Sequence, residues 1–391
     1  MGRISGKLAF YRPFLPLFGA IFFALLGVGA SLATLPFYVL DELDGNKVGV
    51  GVVIAAIAVS AVIARPIAGR FADRHGYRTV MLAGTVVCVV AGAAYLVAGN
   101  MPVLVAVRLL HGVGEGAVYT AGAAWLVALC PPQRRGRVVG LYGIHMWLGI
   151  TLGALFGTVA LRLGGYPAVW LFCVAAALVG VVLVVSRPRP VQPAATGRPA
   201  GLLPSSAVLP GVALSLAALG YAALAAFVAL HLGERGITNG IAAFNAYGLT
   251  YVGVRLFAGG LPDRLGAGRV AFWSALVEAV GLLLVAVAPN LVVAVIGGLV
   301  MGAGLSLLFP SLALLVINRT DPAHQGAALG AFTSFWDIGI AAGGPLAGLI
   351  ASLAGYPAVF YAMLVLAVAS ALLSSLGTVT RSGPVTQRSS G

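Results

Sequence analysis

The 391-residue chain carries 23 Lys+Arg and 10 Asp+Glu, is 60% hydrophobic, contains 54 glycines and has a net charge of +13. Charged residues make up 8% of it, far below the roughly 25% with which a soluble domain covers its surface, so the composition excludes a water-soluble globule of this size. Cys88, Cys130 and Cys173 stand singly in or beside apolar runs with no ligand-like spacing, which excludes a disulfide framework or metal knuckle and leaves them structural.

In chain order, Arg3, Lys7 and Arg12 precede an apolar run over 14–40. That run is far longer than the roughly 7–15 residues of a signal-peptide core and reads as a first, uncleaved membrane helix. A crossing needs about 20 apolar residues. Charges, Pro and Gly divide the chain into twelve candidates: 14–40, 48–68, 79–98, 103–128, 138–161, 168–186, 205–231, 240–258, 270–288, 291–317, 327–354 and 358–378. The expected fold is an all-α membrane protein with six helices in 1–186 and six in 205–391. Residues 187–204, rich in Pro, Ala and Arg, read as a flexible cytoplasmic linker, and the polar tail after Thr378 as disordered.

With the N-terminus inside, 19 of the basic residues, Arg65 and Arg255 among them, fall on the cytoplasmic side. Lys47, Arg162 and Arg235 fall outside, and Arg108 lies within a span. Basic residues are retained on the cytoplasmic side, so both termini are expected there. The +13 is then an orientation signal and gives no support to a nucleic-acid partner.

A shift of 190 residues superposes Arg65 on Arg255, Gly69 on Gly259, Asp73 on Asp263, Arg74 on Arg264, Gly76 on Gly266, Asn100 on Asn290, Gly112 on Gly302 and Gly153 on Gly343. It also superposes the identical run from Gly165 to Val169 on that from Gly355 to Val359. Two parallel copies of a six-helix unit form an architecture in which one half rocks against the other around a central site.

The loop after the second span reads Gly69-Arg70-Phe71-Ala72-Asp73-Arg74-His75-Gly76-Tyr77-Arg78. Its second copy keeps Gly259, Asp263, Arg264 and Gly266, with Arg269 displaced by one position. This resembles the major facilitator superfamily signature Gly-x-x-x-Asp-(Arg/Lys)-x-Gly, followed by basic residues. The resemblance covers essentially all twelve spans. It implies two pseudo-symmetric six-helix bundles and a gating role, latching the halves in the outward-facing state, for Gly69, Asp73, Arg74, Gly76 and Arg78, with Asp263 and Arg264 in the second copy.

In the fourth span Arg108, His111 and Glu115 fall on one helical stripe, and ionisable groups within membranes usually face a bundle interior or aqueous cavity. Arg108-x-x-His111-Gly112-x-Gly114 resembles the superfamily's proton-coupling signature, with His111 in place of the commoner Gln. Glu115 is expected to carry a proton with Arg108 as its modulator. In the eleventh span Asp337 adjoins Trp336, with Phe332 nearby, and its repeat counterpart is Trp147, close to His145. An acid among aromatics suits a cationic or polyhydroxylated substrate and makes Asp337 a second proton-coupling candidate. The expected substrate cavity comprises His111, His145, Trp147, Phe332, Trp336, Asp337 and Asn245, with His231 a weaker candidate. Glu278 reads as structural, paired with Arg255.

The fifth span carries Gly140, Gly149, Gly153 and Gly157. This resembles the glycine pattern of drug-exporting antiporters in the superfamily, departing from it at Ala154 and Thr158. No nucleotide-binding signature or catalytic triad pattern appears. The expected function is therefore secondary transport, without enzymatic activity or cofactor: a monomeric proton-coupled antiporter of the bacterial inner membrane exporting a drug, sugar or metabolite. The alternatives are uptake of a sugar or organic acid by proton symport or facilitation, with Arg108 holding an anionic group, and a membrane receptor or scaffold that binds a ligand without moving it.

Overall fold

The computed structural model describes residues 11–131, 134–187, 204–320 and 325–379. Arg3 and Lys7, most of the expected linker and nearly all of the polar tail lie outside the described residues.

Among these residues nine helices are long and apolar enough to cross a membrane. They include α1 (Leu15–Phe37, continued by a π-helical turn, Tyr38–Glu42), α2 (Lys47–His75), α3 (Tyr77–Ala94) and α4 (Met101–Leu129). Two of the nine are 48-residue runs interrupted by backbone that is not helical, at Gly164 and Gly165 (φ 66°) and at Gly355 (φ 81°). Glycine takes a positive φ without steric cost, and a proline two residues later starts a new helix where its missing N–H is harmless. Each run is therefore two crossings: α5 (135–163) and α6 (166–185), then α11 (325–354) and α12 (356–379). Between them come α7 (Ser205–Glu234), α8 (Ile241–Ala258), α9 (Ala267–Val287) and α10 (Leu291–Asn318). The two runs raise the nine to eleven crossings, and α8, which falls outside the nine, is the twelfth helical segment of this all-α membrane fold. Its outer faces expose large apolar side chains such as Leu163, Phe257, Val292 and Leu353, as a lipid-facing surface requires.

The 190-residue offset recurs in the geometry. Asn100 and Asn290 cap α4 and α10, accepting from the N–H of Val103 and Val293 at 3.0 and 3.1 Å. Gly112 lies against the Ile57 carbonyl of α2, and Gly302 against the Tyr247 carbonyl of α8. Gly153 abuts Leu26 of α1, while Gly343 abuts Leu219 of α7. Without a hydrophobic drive inside lipid, such small residues let helices approach closely enough for dispersion contacts to hold them.

The two sets of six meet along α2–α11 and α5–α8, where Gly51 faces the Gly344 carbonyl and Gly248 faces Thr151. At one end of the bundle Lys47 Nζ lies 3.2 Å from Glu234 Oε1 and 4.1 Å from the Tyr356 ring centroid. At the same end Arg162 donates to the Asn239 side-chain oxygen, so this end is closed across both seams. At the opposite end Asp73 and Asp263 are exposed and join no ion pair among the described residues.

Substituting Gly112→Leu forces a side chain into the α2 backbone, at a cost of about 1–3 kcal/mol or more. The expected outcome is a clear loss of monodisperse protein in detergent and a lower Tm. Gly253→Ala, where an added Cβ meets open space, is expected to leave both unchanged.

Candidate functional site

Between the halves lies a cavity of about 510 Å³. Its lining includes Gly140, Asp263 and Ile317, placing its mouth at the end away from Lys47. Most of its wall is aliphatic, and its polar chemistry is concentrated around Arg65 of α2. Arg65 Nη2 donates to Glu115 Oε1 of α4 at 3.3 Å, while Nη1 lies 2.7 Å from Asp337 Oδ2 of α11. The guanidinium also sits 4.7 Å from the Tyr119 ring centroid. Gly116 leaves room for the aliphatic stem, because a Cβ there would stand 3.3 Å from Arg65 Cγ. One cation thus joins an acid of its own half to an acid of the other half. Buried charges need this kind of pairing, since removing one partner leaves the other uncompensated.

Arg65 is a cavity residue that the sequence analysis places with the cytoplasmic loops. Counted with the cytoplasmic loops, it lies ten residues before the end of α2, because the helix runs on to His75 and not to about residue 68. At 1.5 Å per residue that is about 15 Å of depth. Its position inside the candidate span 48–68 was the available signal. Arg255, its repeat counterpart, also lines the cavity and donates Nη1 to the Ser306 carbonyl at 3.0 Å.

The expected proximity of Arg108 to Glu115 is corrected by the structure. Arg108 is fully buried and bonds away from Glu115. Its Nε donates to the Val53 carbonyl at 3.0 Å, and its Nη1 to Ser31 Oγ and Tyr95 Oη at 3.2 and 3.4 Å. Tyr95 Oη shares a 3.1 Å hydrogen bond with His111 Nδ1, so His111 belongs to this buried network and not to the cavity wall. Seven residues restore the angular position on a helix but advance it two turns, about 10.5 Å, which separates Arg108 from Glu115. The repeat explains the local geometry. Gly298 occupies the counterpart position and packs against the Ala243 carbonyl, the counterpart of Val53.

Trp147 and Trp336 do meet, with ring centroids 5.9 Å apart. They join a cluster with Tyr221, Tyr247 and Tyr251, whose rings lie 5.4, 6.1 and 4.2 Å from Trp147. Of these, Trp147, Trp336, Tyr221 and Tyr251 line the cavity together with Glu115 and Asp337. Three other cavity candidates do not line it. His145 stacks on Phe18 at 4.8 Å and donates to the Leu141 carbonyl, Phe332 packs on Phe309, and Asn245 has a buried side-chain oxygen with no hydrogen bond among the described residues. His231 is buried and bonds the Val285 carbonyl.

The expected Glu278–Arg255 pair is also corrected. Arg255 is directed to Ser306, whereas Glu278 is fully buried on α9 with neither oxygen hydrogen-bonded among the described residues. Of the gate residues, Gly76 and Gly266 take φ of 98° and 92° at tight turns, conformations that favour glycine. Gly69 lies 3.7 Å from Thr120 by its would-be Cβ, and Arg78 donates to the Val185 carbonyl at the end of α6. Asp73, Arg74 and Arg264 are exposed, and Asp263 is exposed at the cavity mouth.

The model of the Major Facilitator Superfamily matches residues 17–244 and 211–390. The chain is 35% identical over 355 residues to the MFS-type transporter YhhS of Escherichia coli (strain K12), covering 87% of this chain and 86% of that one. It is 32% identical over 364 residues to the MFS-type transporter STM4428 of Salmonella typhimurium, covering 91% and 93%. The solved nucleoside transporter NupG shares the fold with a TM-score of 0.76 at 14% identity, covering 94% of this chain and 100% of that one. The human organic anion transporter MFSD10 does so with a TM-score of 0.69 at 19% identity, covering 93% and 99%. The chain is a multi-pass membrane transporter belonging to the major facilitator superfamily.

Proposed function

We propose that the protein is a proton-coupled antiporter of the bacterial inner membrane that exports a small organic compound by alternating access, acting as a monomer. The observation that carries this reading is the bridge from Glu115 through Arg65 to Asp337, which lines the cavity and crosses between the halves. Protonating either acid removes one charge from the bridge, so proton binding and the contact between halves are energetically linked. Relatives in Escherichia coli and Salmonella typhimurium support the inner-membrane assignment.

With both termini in the cytoplasm, the closed Lys47 end faces outward and the cavity opens inward. Substrate then enters from the cytoplasm as a proton leaves Glu115 or Asp337. Reversal closes the loops bearing Gly69, Asp73, Arg74, Gly76 and Arg78 against the opposite half, with Asp263 and Arg264 in the second loop, and parts Lys47 from Glu234. Export over uptake rests on the resemblance of the α5 glycines to the antiporter pattern. Gly149, Gly153 and Gly157 rest on the backbone of Phe22, Leu26 and Ala30 in α1, reproducing the tight helix pairing associated with the antiporter pattern.

In proteoliposomes, Glu115→Gln is expected to abolish pH-gradient-driven flux while leaving the purified protein monodisperse. Undiminished coupled flux would remove Glu115 from the mechanism. Replacing Lys47 and Glu234 together by cysteine and bridging the pair with a bifunctional methanethiosulfonate is expected to arrest turnover until a reductant is added. Continued transport with the bridge in place would show that the Lys47 end need not open.

A further inference from the structure

The two acids beside Arg65 are not equivalent. Glu115 Oε1 accepts an aligned hydrogen bond from Arg65. Asp337 Oδ2, only 2.7 Å from Arg65 Nη1, is buried and receives no aligned hydrogen bond from any described residue. Asp337 is 3% exposed and lines the cavity, as does Trp336 beside it. The contact is therefore a close ion pair that is not aligned as a hydrogen bond, and a carboxylate, with acceptor sites on both oxygens, has room for a second, better-aligned donor.

Arg65 need not leave its own half to yield Asp337 to another cation, which would keep the carboxylate paired. It keeps its hydrogen bond to Glu115 and its place over the Tyr119 ring. Of the other cations, Arg255 lines the cavity and donates Nη1 to the Ser306 carbonyl without an ion pair among the described residues, while Arg108, bonded to Val53, Ser31 and Tyr95, lies outside the cavity wall. An anionic ligand would meet Glu115 and Asp337 beside a guanidinium they already neutralise, with Asp263 at the mouth. The faces of Trp147, Trp336, Tyr221 and Tyr251 offer flat apolar surface and favour positive charge. A volume of about 510 Å³ suits a drug-sized molecule.

We propose that the cavity takes a monovalent organic cation with a flat apolar body, its ammonium donating to Asp337 Oδ2 in place of Arg65 and its body lying against Trp147, Trp336, Tyr221 and Tyr251. This rests on reading the cavity as the transport site, and it assigns the acids separate tasks. Glu115 positions Arg65, and Asp337 reads the ligand.

The test uses the full-length protein and three probes sharing one ring system: naphthylethylamine, which is cationic at neutral pH, naphthylethanol and naphthylacetate. Calorimetry is expected to rank them amine, alcohol, acetate, with the amine about tenfold or more tighter than the acetate. Asp337→Asn is expected to weaken the amine by about tenfold or more, as loss of a charge-assisted hydrogen bond implies, and to leave the alcohol within about threefold. Asp337→Glu, which keeps the charge, preserves the ranking and guards against a folding defect in the Asn variant. Tighter binding of the acetate, an amine affinity unchanged in Asp337→Asn, or no binding of any probe each overturns the proposal. Amine binding with the expected ranking but no amine flux under either pH polarity supports the cation site while removing it from the transport cycle.

Discussion

A guanidinium held between two carboxylates is the interaction on which the interior of this protein depends. Ionised groups are expensive inside a bilayer, and among the described residues the cavity concentrates its acids around Arg65. Glu115 belongs to the same half as Arg65, and Asp337 to the other. Any relative movement of α2 and α11 at this depth therefore changes the pairing of Asp337, and any change in its charge alters how strongly the halves attract. Arg108, although fully buried, cannot serve this purpose, because its bonds to α1, α2 and Tyr95 stay within one half.

The glycine contacts supply the frame for that movement. Within each half, Gly112 against Ile57 and Gly302 against Tyr247 bring helix backbones together, which favours motion of each six-helix set as a body. Between halves, the contacts of Gly51 with Gly344 and of Gly248 with Thr151 are also close, but they lie on seams that the proposed alternating access would open. At the Lys47 end those seams are reinforced by an ion pair that is partly exposed to solvent. Exposed pairs contribute about 0.2–1 kcal/mol, enough to bias a conformational equilibrium and weak enough to break in each cycle.

Much of the architecture was legible in the sequence because membrane helices are written in length and punctuation. The expected span 291–317 corresponds to Leu291–Asn318, and the repeated Gly-Tyr-Pro runs fall where the long helices break. Glu115, Asp337, Trp147 and Trp336 were found as polar or aromatic residues inside apolar runs. Other residues were misplaced for definable reasons. Arg65 was hidden because charges near a predicted helix end look like loop charges, while the helix continues for another two to three turns. Arg108 was joined to Glu115 because a helical stripe records direction but not depth. Tyr221 and Tyr251 left no distinct signal, since a tyrosine on an apolar helix reads equally well as packing, and only the meeting of α5, α7, α8 and α11 turns them into one surface.

If ligand and proton compete for Asp337, binding of the ligand must release a proton, and that release can be measured. Naphthylethylamine matched in pH is added to the purified protein in weakly buffered detergent, stepping from acid to neutral conditions. Release of up to about one proton per bound amine is expected at the acid end, where a carboxyl must ionise to accept the ammonium, fading as pH rises and the acid is already ionised. Saturating amine binding with no proton released at any pH would contradict it.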